Sequence, residues 1–369
     1  MKAADTWITY NYDERSKFAI DLLLTVRLNL LPNRTLRKVL RKSNYKYSFV
    51  FQRNKECVDL ASVILRDKNK FFDDCRFLGN ETRYCSQNEF NILICGGIDA
   101  RDNYKYNVVK SDVENLQKVE ILTNLFKNPK CFWTLNIKHE LYLLNFSNYN
   151  HVDVHKYCLI TKFWENVTVI RSERYDTSCS VYMDKIYIIG GRDETDQPTQ
   201  SCIELNTSKC KYKHIKRLNQ ARVLASSTVY EEKIVASGGY TDDNNLSTVE
   251  AYDHAANTWT YMSSMNYGRC YHALVAIKNK LFVFGGETEV FEMYDSFTKT
   301  FAILKPPPSV MNTGYKVVEA IPVGKKILIF KRYSTTITIF DLDKNEWSEE
   351  RFNATKEIDD FCCFKVPKI

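Results

Sequence analysis

STVEAYDHAANTWTYMSSMNYGR at residues 247–269, followed after eleven residues by LFVFGG at 281–286, carries the pattern from which the rest of the chain can be read. A β-prone stretch closes on Asp253, and an aromatic follows six places later at Trp259. An arginine stands at Arg269, and sixteen residues beyond it comes the glycine pair Gly285-Gly286. Three more apolar runs end the same way, at Gly96-Gly97, Gly190-Gly191 and Gly238-Gly239. ELYLLNF places Asn145 and Phe146 at the corresponding point, and KILIFKR places Lys331 and Arg332 there. The six marks fall at 96, 145, 190, 238, 285 and 331, intervals of 49, 45, 48, 47 and 46. A period of that length is the signature of a repeat architecture.

The other positions repeat with it. Arg174, Arg222 and Arg269 each precede their glycine mark by sixteen residues. Asn206 and Tyr212, Asp253 and Trp259, Asp295 and Phe301, and Asp341 and Trp347 keep one spacing, and Trp164 occupies the aromatic place in the second unit. Each element has a physical task. A glycine pair at a strand end supplies positive φ and lets neighbouring backbones approach closely. A short Asp or Asn side chain accepts from amides just ahead and sets a turn. The aromatic offers a large apolar face to pack between units. The expected fold is therefore mainly β: a six-bladed propeller of four-stranded blades, preceded by a small α-helical segment. The first unit lacks a leading strand of its own, and FCCFKVPKI at the end of the sequence is expected to supply it, so that no sheet edge stays open.

Composition agrees. Of 369 residues, 44% are hydrophobic, 26% charged and 13% aromatic, a balance that supports a packed core. The net charge of +7 is dispersed, without the basic stripe of a nucleic-acid binder, and the densest basic stretch, Arg34 to Lys46, reads as a solvated helix face with its following loop. No run of roughly 18 apolar residues offers a membrane span, and the start lacks a signal-peptide core, so a cytoplasmic protein is expected, with nucleus and cytoskeleton as further locations. The twelve cysteines have neither disulfide-framework nor zinc spacing and are expected to be free thiols.

The repeat resembles the kelch repeat over residues 90 to 369: a strand into Gly-Gly, a Tyr-Asp turn, then Trp. The front end, WITYNYDERSKFAIDLLLTVRLNLLP, resembles the BACK domain of kelch-like proteins through Trp7, Arg15, Leu22, Leu23, Val26, Arg27, Leu28, Leu30, Leu31 and Pro32. The expected organisation is a C-terminal part of a BACK-like helical domain over 1–75, a linker over 76–90 and a propeller over 91–369. In that family a BTB domain and the first BACK helices precede this point, and they are expected to be absent from the chain.

Enzyme chemistry lacks its equipment here. No phosphate loop, nucleophile elbow or dinucleotide fingerprint occurs, and no sialidase-type box. His151 and His155 form HVDVH, a spacing that would converge on a metal from a helix but not from a strand. Neither catalysis nor a cofactor is expected. The resemblance implies a protein-binding platform whose loops carry recognition. Loops just after the glycine pairs hold Ile98, Arg192, Tyr240 and Glu287. Those just after the repeated arginines hold Tyr175, Asp176, Val223, Leu224, Cys270 and Tyr271. Arg and Tyr are common interface anchors, which singles out Arg192, Tyr240, Tyr175 and Tyr271, with Asp176 and Glu287 beside them. The implied partner is a protein. In one reading it is the substrate of a cullin-3 ubiquitin ligase for which the chain is the adapter, with cullin-3 bound only by a BTB-containing form. In the other it is actin or another cytoskeletal protein, or the target that a truncated competitor would shield.

Overall fold

The computed structural model describes residues 90–99, 104–112 and 119–127 and, with short gaps, 129–307, 317–352, 358–359 and 362–367. The helical segment expected over 1–75 lies outside the described residues, which belong almost entirely to one compact unit, Phe90–Val366.

Six antiparallel blade sheets follow one another along the chain, and a seventh, two-stranded sheet pairs Tyr240–Thr241 with Asn244–Asn245 within blade four, so that Tyr240 stands in a short strand. Blade two is built from Phe132–Ile137, Glu140–Asn145, Val152–Cys158 and Phe163–Ile170, and blade three from Ser178–Tyr182, Lys185–Ile189, Cys202–Asn206 and Lys211–His214. Blade four comprises Ser226–Tyr230, Lys233–Ser237, Val249–Asp253 and Thr258–Tyr261. Blade five comprises His272–Ile277, Lys280–Gly285, Phe291–Asp295 and Thr300–Leu304, and blade six Val317–Val323, Lys326–Lys331, Thr336–Asp341 and Glu346–Arg351. In blade one the strands Phe90–Asp99, Tyr104–Asp112 and Val119–Asn124 pair in order, and Cys362–Pro367, from the far end of the sequence, pairs with Phe90–Asp99. The result is a six-bladed, mainly β propeller.

The second strand of a blade reads as a continuous apolar run because both of its faces are covered. Ile186 to Ile189 and Leu281 to Phe284 are buried without interruption. Outer strands such as Lys211–His214 and Glu346–Arg351 are mostly exposed. The core is divided into seams, each shared by consecutive blades. Tyr187, Ile189 and Cys202 meet Ile234, Tyr252 and Trp259 between blades three and four. Phe282, Phe284 and Phe291 meet Ile327, Ile329 and Phe340 between five and six. The closing seam joins Phe330, Ile337 and Phe352 of blade six to Ile92, Ile94 and Cys363 of blade one. Each such side chain contributes about 1.5–3 kcal/mol on full burial, so the seams outweigh any single turn.

In the three units whose aromatic is tryptophan, that side chain is also a bolt. Trp164 Nε1 donates to Asn124 O at 3.0 Å, Trp259 Nε1 to Lys216 O at 2.9 Å and Trp347 Nε1 to Lys305 O at 2.9 Å, in each case to backbone at the end of the preceding blade. Asp253 Oδ1 accepts from the amides of Ala255 and Ala256, both at 3.0 Å, and Asp341 Oδ1 accepts from those of Asp343 at 3.0 Å and Lys344 at 3.1 Å. Blade one departs from the strand-end reading of its glycines. Gly96 (φ 64°) forms a bulge inside a strand that continues to Asp99, with Gly97 paired to Lys105 and Ile98 to Tyr104. Ile98 is therefore a strand residue, not a loop residue.

Candidate functional site

Antiparallel strands place the loops after the glycine pairs and the loops carrying the repeated arginines at the same end of every blade. Buried arginines hold that end together. Arg222 and Arg269 are completely buried. Arg222 donates through Nη1 to Gly238 O at 2.8 Å and Thr248 O at 2.9 Å, and through Nη2 to Glu250 Oε1 at 2.9 Å. Glu250 Oε2 accepts from both Asn219 N and Asn219 Nδ2 at 2.8 Å. Blade five repeats the arrangement with Arg269, Glu292 and Asn266. Burial lowers the pKa of both guanidiniums and the paired carboxylate counters it.

These carboxylates were missed because their distance from the arginine changes with loop length. A signal existed in VEAYD and FEMYD, where Glu250 and Glu292 each stand three places before the turn aspartate. Blade three has Ile203 in that place. Arg174 is served by Ser172 Oγ at 2.9 Å, Ser201 O at 3.1 Å and Ser201 Oγ at 2.7 Å, and no carboxylate among the described residues pairs with it.

The glycine pairs complete the joint. Gly190 and Gly238 take φ of 59° and 58°, and a Cβ on either would lie 2.5 Å or 2.4 Å from the carbonyl oxygen of the next blade's arginine, Arg222 or Arg269. The following amides, Gly191 N and Gly239 N, donate to those same carbonyls at 2.8 Å and 2.9 Å. Only glycine permits both the left-handed backbone and this approach.

Just past each arginine the chain turns into a collar. Asp176, Leu224 and Tyr271, each two residues after an arginine, have φ of 51°, 53° and 51°. That conformation sends their amides around the ring: Leu224 N donates to Asp176 O at 3.0 Å, and Tyr271 N to Leu224 O at 3.3 Å. Within a blade, short antiparallel bridges zip the two loops together, Tyr175 to Arg192 and Val223 to Tyr240. Val223 and Cys270 are buried in this joint and present nothing outward.

Arg192 is the centre of the cluster. Its Nε lies 3.4 Å from Asp176 Oδ2, its Nη1 lies 3.3 Å from Asp196 Oδ1 and donates to Asp196 O at 2.9 Å, and its guanidinium sits 5.1 Å over the Tyr240 ring. Tyr175 OH donates to Asp196 Oδ1, which pushes the phenol pKa up to about 12. The structure thus brings Tyr175, Asp176, Arg192 and Tyr240 together. Tyr271, half-exposed, sits further round the collar beyond Leu224, and Glu287 lies outside the described residues. Arg192 is engaged within the protein and clamps the platform. The accessible groups are the ring of Tyr271 and the acidic loop Asp193, Glu194 and Asp196. In that loop Asp193 Oδ1 accepts from Thr195 N at 2.9 Å, Thr195 Oγ1 at 2.7 Å and Gln197 N at 3.1 Å, bonds that hold its carboxyl below the usual range.

Behind the collar a channel of about 620 Å³ runs along the first strands of blades two to six and past Cys362 and Cys363. Elsewhere, His155 lies on a strand with its ring 4.5 Å from Phe126, and His151 Nε2 is 3.5 Å from Asp153. Among the described residues no three His, Cys, Asp or Glu side chains gather as a metal site, and nine cysteines are free thiols.

Comparison with known proteins agrees with this geometry. The family model for the KLHDC2/KLHL20/DRC7 Kelch-repeats domain matches residues 132–330. Kelch-like protein 15 of Mus musculus is 24% identical over 224 residues, which are 51% of this chain and 36% of that protein. Kelch-like protein 38 of Danio rerio is 32% identical over 124 residues, covering 31% of this chain and 20% of that protein. Kelch repeat and BTB domain-containing protein 1 of camelpox virus is 32% identical over 142 residues, or 36% and 25%. The chain spans about a third of the length of the first of these relatives, and less of the other two.

Proposed function

This chain belongs to the KLHDC2/KLHL20/DRC7 Kelch-repeats family, and from that membership we infer that its propeller recognises a target protein at the collar end, as the substrate-selecting part of a cullin-3 type ubiquitin-ligase adapter. The observation that carries the recognition step is the division of labour at that end. The repeated arginines, glycines and carboxylates are buried in holding the blades, whereas Tyr271 and the acidic loop at 193–196 stand on the surface they fix, with Tyr240 half-buried beneath Arg192. Rigid aromatic rings beside charged groups on a fixed scaffold suit protein recognition. The organisation proposed with it is a BACK-like helical segment over 1–75 and a linker to the propeller, in a cytoplasmic protein. The adapter reading is supported by the kelch-like relatives, one of whose names includes a BTB domain.

The test is affinity capture with the full chain against Tyr271→Ala and Arg192→Ala forms, followed by cullin-3 pull-down with a form extended by a BTB domain. A target lost at least tenfold by both variants supports the collar as the recognition face, and unchanged capture by both removes it. Cullin-3 held by the extended form supports the adapter role. A target held without any cullin-3 leaves a non-ligase interaction protein that competes for the same target.

A further inference from the structure

We infer that the channel behind the collar is a binding site for one organic cation, the ammonium or guanidinium of a basic side chain or of a free amine, with Glu319 as its counter-charge. The site does not depend on the adapter reading and needs only the channel.

Glu319 lies on Val317–Val323, the first strand of blade six, where it pairs with Phe330 beside a bulge. It lines the channel, and no ion pair with it is found among the described residues. The backbone amide of Ala320 is the hydrogen-bond donor that reaches it. Glu319 is half-buried, and its carboxylate meets the channel with no cationic side chain opposite it among the described residues. The described walls supply no counter-charge: none of the residues lining the channel is a lysine or arginine, and the other acidic group facing it is Asp176 of the collar. Two further groups on the wall, Thr134 Oγ1 and Asn136 Oδ1, find no nitrogen or oxygen partner among the described residues, Thr134 meeting the thiols of Cys95 and Cys362. Both can accept, and an ammonium carries three donors and a guanidinium five. A volume of about 620 Å³ falls within the ~300–1,000 Å³ of small-molecule sites and exceeds what one basic side chain fills.

Glu319 faces the channel rather than bulk solvent, and this desolvation pushes its pKa up to about 8. An entering cation would restore the ionised form, so binding releases a proton at neutral pH. Asp176, Tyr271, His272, Cys131, Cys179, Cys362 and Cys363 face the same space. Burial together with Arg269 and Arg222 holds His272 neutral, its pKa down to about 3, and burial keeps Cys179, Cys362 and Cys363 protonated. Glu319 is therefore the group expected to change between pH 6 and 8.

The test is calorimetric titration of the full chain with N-acetyl-lysine methylamide, N-acetyl-arginine methylamide, spermidine and the neutral N-acetyl-norleucine methylamide, each in two buffers of different ionisation enthalpy. The expected result is binding of the cations but not of the norleucine probe. Close to one proton should be released per cation at pH 6.5, and affinity should rise toward pH 8. Glu319→Gln, nearly isosteric and spared any buried ionisation, should lose at least tenfold in affinity. Binding of the blocked amino acids supports a partner's side chain as the source, and binding of spermidine alone supports a free amine. Cation binding no better than that of norleucine, equal binding by Glu319→Gln, or binding by wild type without proton release overturns the proposal. If the cations fail while Tyr271→Ala and Arg192→Ala still lose the captured target, the channel site falls and the recognition face stands.

Discussion

Replacing Glu250 by Gln changes one oxygen of a completely buried side chain, yet about 3–5 kcal/mol of stability should go with it. The carboxylate accepts five hydrogen bonds: Arg222 Nε at 3.2 Å, Arg222 Nη2 at 2.9 Å, Asn219 N and Nδ2 both at 2.8 Å, and Gln220 N at 3.2 Å. An amide keeps one accepting oxygen and turns an NH₂ toward the remaining donors. Bonds to a charged group are worth about 1.5–3 kcal/mol each, and stripping a buried ion of its partner costs about 3–5 kcal/mol in all. Urea unfolding followed by tryptophan fluorescence reads this as a lowered midpoint at unchanged m-value. Two companions sharpen the measurement. Arg222→Met, which leaves Glu250 unpaired, should cost a similar amount, while Arg222→Met combined with Glu250→Leu should recover part of the loss. Arg174→Met removes a buried guanidinium that has no carboxylate partner among the described residues, and should cost less than about 1.5 kcal/mol. A Glu250→Gln protein within about 1 kcal/mol of wild type would refute the account of this joint, as would equal losses for Arg174→Met and Arg222→Met.

Gly238→Ala should cost about 3 kcal/mol, since it adds the ~1–2 kcal/mol left-handed penalty to a Cβ placed 2.4 Å from the Arg269 carbonyl oxygen. Gly96→Ala has a similar φ but meets the tip of the Phe132 ring, which can move, so about half that loss is expected; identical urea midpoints for the two would sink the close-approach explanation. The pKa of Glu319 is raised on folding from near 4.5 to about 8. Its protonated form therefore favours the folded state fully below about pH 4.5, and that contribution is lost as pH rises to 8, at up to about 1.4 kcal/mol per pH unit. Stability against pH should be flatter for Glu319→Gln over that window, and parallel curves would contradict the burial. Trp347→Phe keeps the ring against Phe340 and Phe291 but loses the bond to Lys305 O, for an expected loss of about 1 kcal/mol in urea; a loss above 3 kcal/mol would show that the bond is not the main item lost.

What could be read from the residues was the part of the fold that recurs. Six marks at near-constant spacing required six units, and the turn aspartates and paired glycines act on their own neighbours within a few residues. The collar was half legible. Tyr175, Asp176, Arg192 and Tyr240 were named from their places beside the arginines and glycines, and they do meet. That Arg192 is occupied by Asp176 and Asp196 could not be read, because its loop partners come from two separate stretches. The carboxylates opposite Arg222 and Arg269 escaped notice because the loop between second and third strands differs in length between blades four and five.

The sequence alone thus determined the number of blades, the turn chemistry and the family pattern, all consequences of short-range backbone and packing preferences repeated along the chain. The ring decided the rest. Pairing of Cys362–Pro367 with Phe90–Asp99 joins the two ends of the described unit, and it makes the first strands of successive blades the wall of one channel. Glu319 stands in a strand whose sequence marks it no differently from a solvent-facing residue. Its partial desolvation arises only when walls contributed from across the chain close around the channel.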